Sequence, residues 1–303
     1  MTIRHQLTGA GLVALGLGMA TAAVLGPLAF KIITFRTSER IEAQFTGGEV
    51  VSLGVVAPLS IAAGVLWRRD HPLAPALALA PALYAVYTYT SVIAGQEYGR
   101  YDGNVERFFP LYAGLVAGGV AVAAAWSRLC TRGTTVPPAP LRRTVSGILL
   151  AGSALIALAW TRQIGLVLAD RPPVEYVEGP TLFWTIKLLD FGFLIPASVA
   201  AGIGLLRGAP GAIRAAYGLC GLYTCLAASV AGMAVVMEQN GDPSAQPSVL
   251  ALLVPVTLGL GIVTTRLFQS SLRNGGAKAV DAGEKVRRSV APVTSTAIPR
   301  GTR

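Results

Sequence analysis

A chain of 303 residues that is 53% hydrophobic, only 13% charged and of mean hydropathy +0.58 is too apolar for a soluble domain of its size and reads as a polytopic membrane protein. Its net charge of +10 sits in short basic clusters between apolar runs and in the C-terminal segment, the pattern of membrane loops, which excludes nucleic acid as the partner. Three cysteines (Cys130, Cys220, Cys225) make no disulfide framework, and the two histidines, His5 and His71, fall outside the apolar runs, so neither a metal site nor a cofactor is expected.

Eight runs of bilayer-crossing length follow one another, predicting an all-α bundle of eight transmembrane helices. The first, 7–33, has a basic lead in Arg4 and an alanine-rich end like a signal peptide's, but its length predicts a span that is kept. The second and third, 50–67 and 73–95, are parted by Arg68 and Arg69, and the fourth is 110–126. A segment rich in proline and threonine, 131–143, then reads as a cytoplasmic linker between a first membrane unit (1–130) and a second (144–268). The second unit holds spans at 145–169, 182–206, 215–237 and 249–267. Beyond it, 269–303 is Gly, Ser, Thr, Ala and basic residues without apolar period, a disordered basic cytoplasmic tail.

Shifting the chain by 138 residues lays Gly54 on Gly192, Pro58 on Pro196, Ser60 on Ser198 and Gly64 on Gly202, which predicts two four-helix repeats. An even number of spans per unit makes the repeats parallel in topology. Pro58 and Pro196 then become paired mid-membrane kinks, and the Ser-x-Ala-Ala-Gly stretches after them become sites of close helix contact. Lys and Arg divide 17 against 8 between the two sides, so both termini are expected in the cytoplasm and the protein in the plasma (inner) membrane. The acids lean to the opposite, outer side.

Ionisable residues inside a span are costly and raise a site hypothesis by default. Lys187 and Asp190 lie three apart in the sixth span and can pair on one helix face. At a rise of about 1.5 Å per residue, Arg162 of the fifth span reaches the same depth below the outer boundary. Glu49, at the mouth of the second span, is the 138-residue counterpart of Lys187 and could bridge the repeats. Two cations and one acid in a layer would leave a net positive pocket for a small anionic or zwitterionic ligand. The outer connections add Glu97, Tyr101, Asp102, Asn104, Glu175, Glu178, Glu238 and Asp242 as polar candidates. They lack the ligand spacing of a calcium loop, and no nucleophile, P-loop or zinc motif is present.

Repeats meeting around a charged layer predict a small-solute transporter in the lipid bilayer. The alternatives are a non-transporting sensor, assembly factor or accessory subunit that offers acidic loops to a membrane protein partner, and an enzyme acting on lipid-linked substrates through paired carboxyls.

Overall fold

The computed structural model describes residues 3–129, 136–242 and 251–269, and among them it is entirely helical apart from connections. Eight helices are long and apolar enough to cross a bilayer: α1 (His5–Leu28), α2 (Glu39–Arg68), α3 (Ala74–Ala94), α4 (Val105–Leu129), α5 (Ala139–Leu168), α6 (Pro180–Leu206), α7 (Pro210–Gln239) and α8 (Ala251–Gln269). The chain is a multi-pass membrane protein. Leu17, Val120, Leu155, Phe193 and Leu252 stand exposed along these helices, a surface that suits hydrocarbon rather than water. Cys130, residues 131–135 of the segment read as a linker and residues 270–303 of the tail read as disordered lie outside the described residues; 139–143 of that linker are instead helix, since α5 already begins at Ala139, and Gln269 ends α8.

Short connections make successive helices antiparallel and gather the connections at two ends. An acidic end carries 29–38, 95–104 and 169–179; a basic end carries Arg68, Arg69, Arg207 and Arg214. The most buried helix is α3, which packs against α2, α4, α7 and the first half of α6.

Helix α2 starts well before the apolar run that announced it. Ser38 caps it by accepting a hydrogen bond from the Ile41 amide at 3.3 Å, and Glu39 and Glu42 fall in the first turn, where the helix dipole favours acids. Arg40, Glu42, Gln44 and Glu49 hide this half from a hydropathy count, yet its Ile41 and Phe45 are buried.

Both α2 and α6 contain one wide turn. The π-helical segments are Ser52–Val56 and Asp190–Leu194, 138 residues apart, and each is followed at the same offset by α-helix with proline in its first turn, Pro58 and Pro196. Proline lacks the amide hydrogen and its ring crowds the carbonyl four residues back. Gly54 and Gly192 occupy that place, and one extra residue in the turn relieves the crowding.

The pairing of helices rests on small residues. Helix α1 packs on the basic half of α2 so closely that a Cβ on Gly64 would stand 2.6 Å from the Gly9 carbonyl oxygen, and Ser60 Oγ donates to Leu12 O at 2.7 Å. Helix α5 lies on the basic half of α6 in the same manner, with Ser146 Oγ donating to Gly202 O at 2.7 Å. The acidic half of α2 turns to α7 instead, where Gly47 meets Gly232 backbone to backbone.

Candidate functional site

The acidic halves of α2, α3, α6 and α7, with α5 and α8, surround a cavity of about 600 Å³. Glu49 and Asp190 are both in its wall, and both are buried, 2% and 3% exposed. Asp190 begins the wide turn of α6 and is fully engaged: Tyr87 hydroxyl donates to Oδ1 at 2.9 Å and the Trp160 indole donates to Oδ2 at 2.6 Å. Glu49, one turn before the wide turn of α2, accepts from the Tyr89 hydroxyl at Oε2 at 3.3 Å and has the Ser52 hydroxyl beside it, while its buried Oε1 has no hydrogen-bond partner among the described residues. Hydroxyls continue along the wall, where Tyr84 is hydrogen-bonded to Ser52 at 3.0 Å and donates to Ser229 Oγ at 3.3 Å.

Lys187 stands behind this wall rather than in it. Its Nζ donates to Gln163 Oε1 at 2.8 Å and rests over the rings of Phe183 and Trp160, 3.6 and 3.9 Å from their centroids. Among the described residues no ion pair joins Lys187 to Asp190, although they lie only three positions apart; Trp160 touches both, offering its edge to the carboxylate and its face to the ammonium. Arg162 is exposed and does not line the cavity, because two residues from Trp160 is some 200° around α5. The carboxyls, not the cations, therefore face the space between the helices.

The polar residues of the acidic end mostly fasten its connections. Glu97 caps α6, accepting from Thr181 N at 2.6 Å and Thr181 Oγ1 at 2.9 Å. Asn104 clips the 29–38 connection by accepting from Thr34 N and donating to Ile32 O, each at 2.9 Å. The Tyr101 carbonyl accepts from Arg36 Nη1 at 3.0 Å, its hydroxyl donates to Glu178 O at 3.4 Å, and the Glu178 carboxylate accepts from Ser38 at 2.9 Å. Arg36 also makes two bonds to Glu106, 2.6 and 3.0 Å, and the hydrogen bonding raises the pKa of its guanidinium above the ordinary arginine value. Asp242 pairs with Arg40 at 3.4 Å, while Asp102, Glu175 and Glu238 are exposed. Glu178 and Asp242 also border a second, wider hollow of about 1040 Å³ together with Lys31, Glu39, Arg40 and Glu42. The α2–α7 crossing lies between the two spaces, since Ala43, Thr46 and Val236 face the hollow and Phe45, Gly48 and Met233 face the cavity.

A strut of this lacework is open to direct test. Gln96 is buried, accepting from Arg36 N at 2.6 Å and donating to Val92 O at 2.7 Å. Gln96→Leu should cost about 1–3 kcal/mol by orphaning a buried amide, read as a lowered midpoint of thermal unfolding in detergent, whereas Arg36→Met, whose head group is solvated, should shift it less.

Tyr87, Trp160, Gln163 and Tyr89 escaped the sequence reading. The available signal was three tyrosine hydroxyls (Tyr84, Tyr87, Tyr89) and an amide (Gln163) inside apolar spans, since such groups need partners when buried. Compared with known proteins, the chain matches no family model, no curated protein and no solved structure.

Proposed function

We propose that the chain is a small-solute transporter of the plasma (inner) membrane, made of two parallel four-helix repeats with both termini cytoplasmic. The observation that carries this reading is the cavity of about 600 Å³ that holds both buried carboxyls between α2 and α3 of the first repeat and the helices of the second. Three features support the repeat: the wide turns 138 residues apart, the prolines that follow them, and the equivalent packing of α1 on α2 and α5 on α6. The basic end, with its excess of Arg, is then cytoplasmic and the cavity lies toward the outside. The close contact of Gly47 with Gly232 separates the cavity from the hollow at the acidic end, as a closed gate would. Wide turns beside each carboxyl place a soft point of each helix at the site.

A second reading is a non-transporting sensor or accessory subunit. It is favoured by the basic half of the bundle, where Trp67, Leu149, Leu205 and Ile213 are fully buried. An enzyme working through paired carboxyls is less well supported, because both oxygens of Asp190 are already engaged.

A single cysteine at Ser229 in the cavity wall, with Cys130, Cys220 and Cys225 replaced by alanine, separates the two leading readings. Membrane-impermeant methanethiosulfonate is expected to label it from either side in right-side-out and inside-out vesicles. Labelling from one side alone would replace the transporter by the sensor.

A further inference from the structure

We propose that the ligand of the cavity is an amphiphilic organic cation with one positive charge, and that Glu49 is its counter-charge. This deepens the reading of the cavity as a binding chamber and rests on it. The two carboxyls differ in what they lack. Asp190 accepts two hydrogen bonds, and the Lys187 ammonium lies behind it on the far side of Trp160. Glu49 lines the chamber, accepts a long bond from Tyr89 with the Ser52 hydroxyl beside it, and keeps a buried Oε1 that has no hydrogen-bond partner among the described residues. A carboxylate withdrawn from water is costly unless a positive charge or hydrogen-bond donors compensate it. A cation in the chamber supplies the missing partner.

The rest of the wall says what that cation is made of. A bare metal ion needs several oxygen ligands, and one free carboxylate oxygen in an otherwise mainly apolar wall does not provide them. Phe45, Tyr87, Trp160 and Tyr223 line the chamber, and aromatic faces attract organic cations while their surface accepts an apolar body. About 600 Å³ is room for a molecule of drug size. Leu155 belongs to the wall and is 68% exposed, and α5 is one of the least buried spans, so the chamber borders the bilayer there and is reached by molecules that dissolve in it.

The test uses two ions of one shape and opposite sign, tetraphenylphosphonium and tetraphenylborate, with the purified full chain in a maltoside detergent. Radiolabelled phosphonium should bind saturably by equilibrium dialysis, and borate should not displace it. Glu49→Gln should weaken binding about tenfold or more, the effect of removing a close charge partner. Gly152→Trp should abolish it, because Gly152 lines the chamber and a side chain there meets open space. Thr88→Lys, which sets a positive charge in the same wall, should exclude phosphonium and admit borate, and it serves if Glu49→Gln fails the thermal-unfolding check of its fold. Borate displacing phosphonium, or Glu49→Gln binding as the wild type does, would overturn the cationic class while Gly152→Trp still reports a chamber. Phosphonium binding that survives Gly152→Trp, or no saturable binding by the folded wild type, would bring down the chamber reading and the proposal together.

Discussion

Gly47→Leu is expected to destabilise the folded protein by about 3 kcal/mol or more. A Cβ on Gly47 would fall on the Met233 Cα and 2.5 Å from the Gly232 carbonyl oxygen. The clash is reciprocal, since a Cβ on Gly232 would stand 2.7 Å from the Gly47 carbonyl oxygen. Backbone opposes backbone at this crossing, so no side chain can swing aside and α2 and α7 must separate. Their separation would also join the cavity to the hollow at the acidic end. Thermal unfolding in detergent measures the loss. Gly47→Ala should show a smaller loss of the same sign, and Gly114→Leu, where a Cβ meets nothing within 4 Å, should change little. Unfolding of Gly47→Leu at the wild-type midpoint would mean that the crossing is not a close contact in the folded protein.

Asp190→Leu should cost about 2–5 kcal/mol, and more than Asp190→Asn. Leucine strands the Tyr87 hydroxyl and the Trp160 indole, both of which donate to the carboxylate, and it removes one of the two negative charges, with Glu175, that act on Lys187. Asparagine keeps one acceptor. A double variant isolates the stranded donor: Asp190→Leu with Tyr87→Phe should be more stable than the sum of the two single losses predicts, because phenylalanine has no hydroxyl to leave unsatisfied. Strict additivity would show that the hydrogen bond to Tyr87 contributes nothing. Equal losses for Asp190→Leu and Asp190→Asn would assign the effect to charge alone.

Spans whose whole length meets lipid were legible, because hydrocarbon selects apolar residues along all of it. The start of α2 was not. Residues 39–49 meet other helices as well as solvent, and burial against protein admits Arg40, Gln44 and Glu49 where lipid would not. The basic starts of α5 and α7 were missed for a related reason, since Arg142, Arg143 and Arg214 lie in helix beyond the apolar stretch. The prolines marked the sites of helix distortion, but not its form, a π-helical turn that ends two residues before each proline. At the site, cost picked out Lys187 and Asp190, the 138-residue offset added Glu49, and depth was readable from helix rise. Azimuth was not: Arg162 has the expected height on the wrong side of α5, while Trp160 and Gln163 hold the side that faces α6. Sequence separation likewise suggested that Lys187 and Asp190 would meet, and an indole from another helix stands between them instead.

The wide turns can be counted as insertions. Each places one residue more in a turn than an α-helix requires, and one residue of α-helix is worth about 100° of rotation. Losing a single residue from Ser52–Val56 would leave α2 apolar and of bilayer-crossing length while swinging everything before it, Glu49 and Gly47 included, about a quarter-turn around the axis. The same loss from Asp190–Leu194 would turn the first half of α6 relative to the half that rests on α5. The inventory of spans and the hydropathy would be preserved in either case, and the chamber would lose one of its two carboxyls. For this chain a one-residue gap inside a wide turn is thus a greater change than many substitutions, and it is the kind of difference by which a chain with the same eight spans could lack the site.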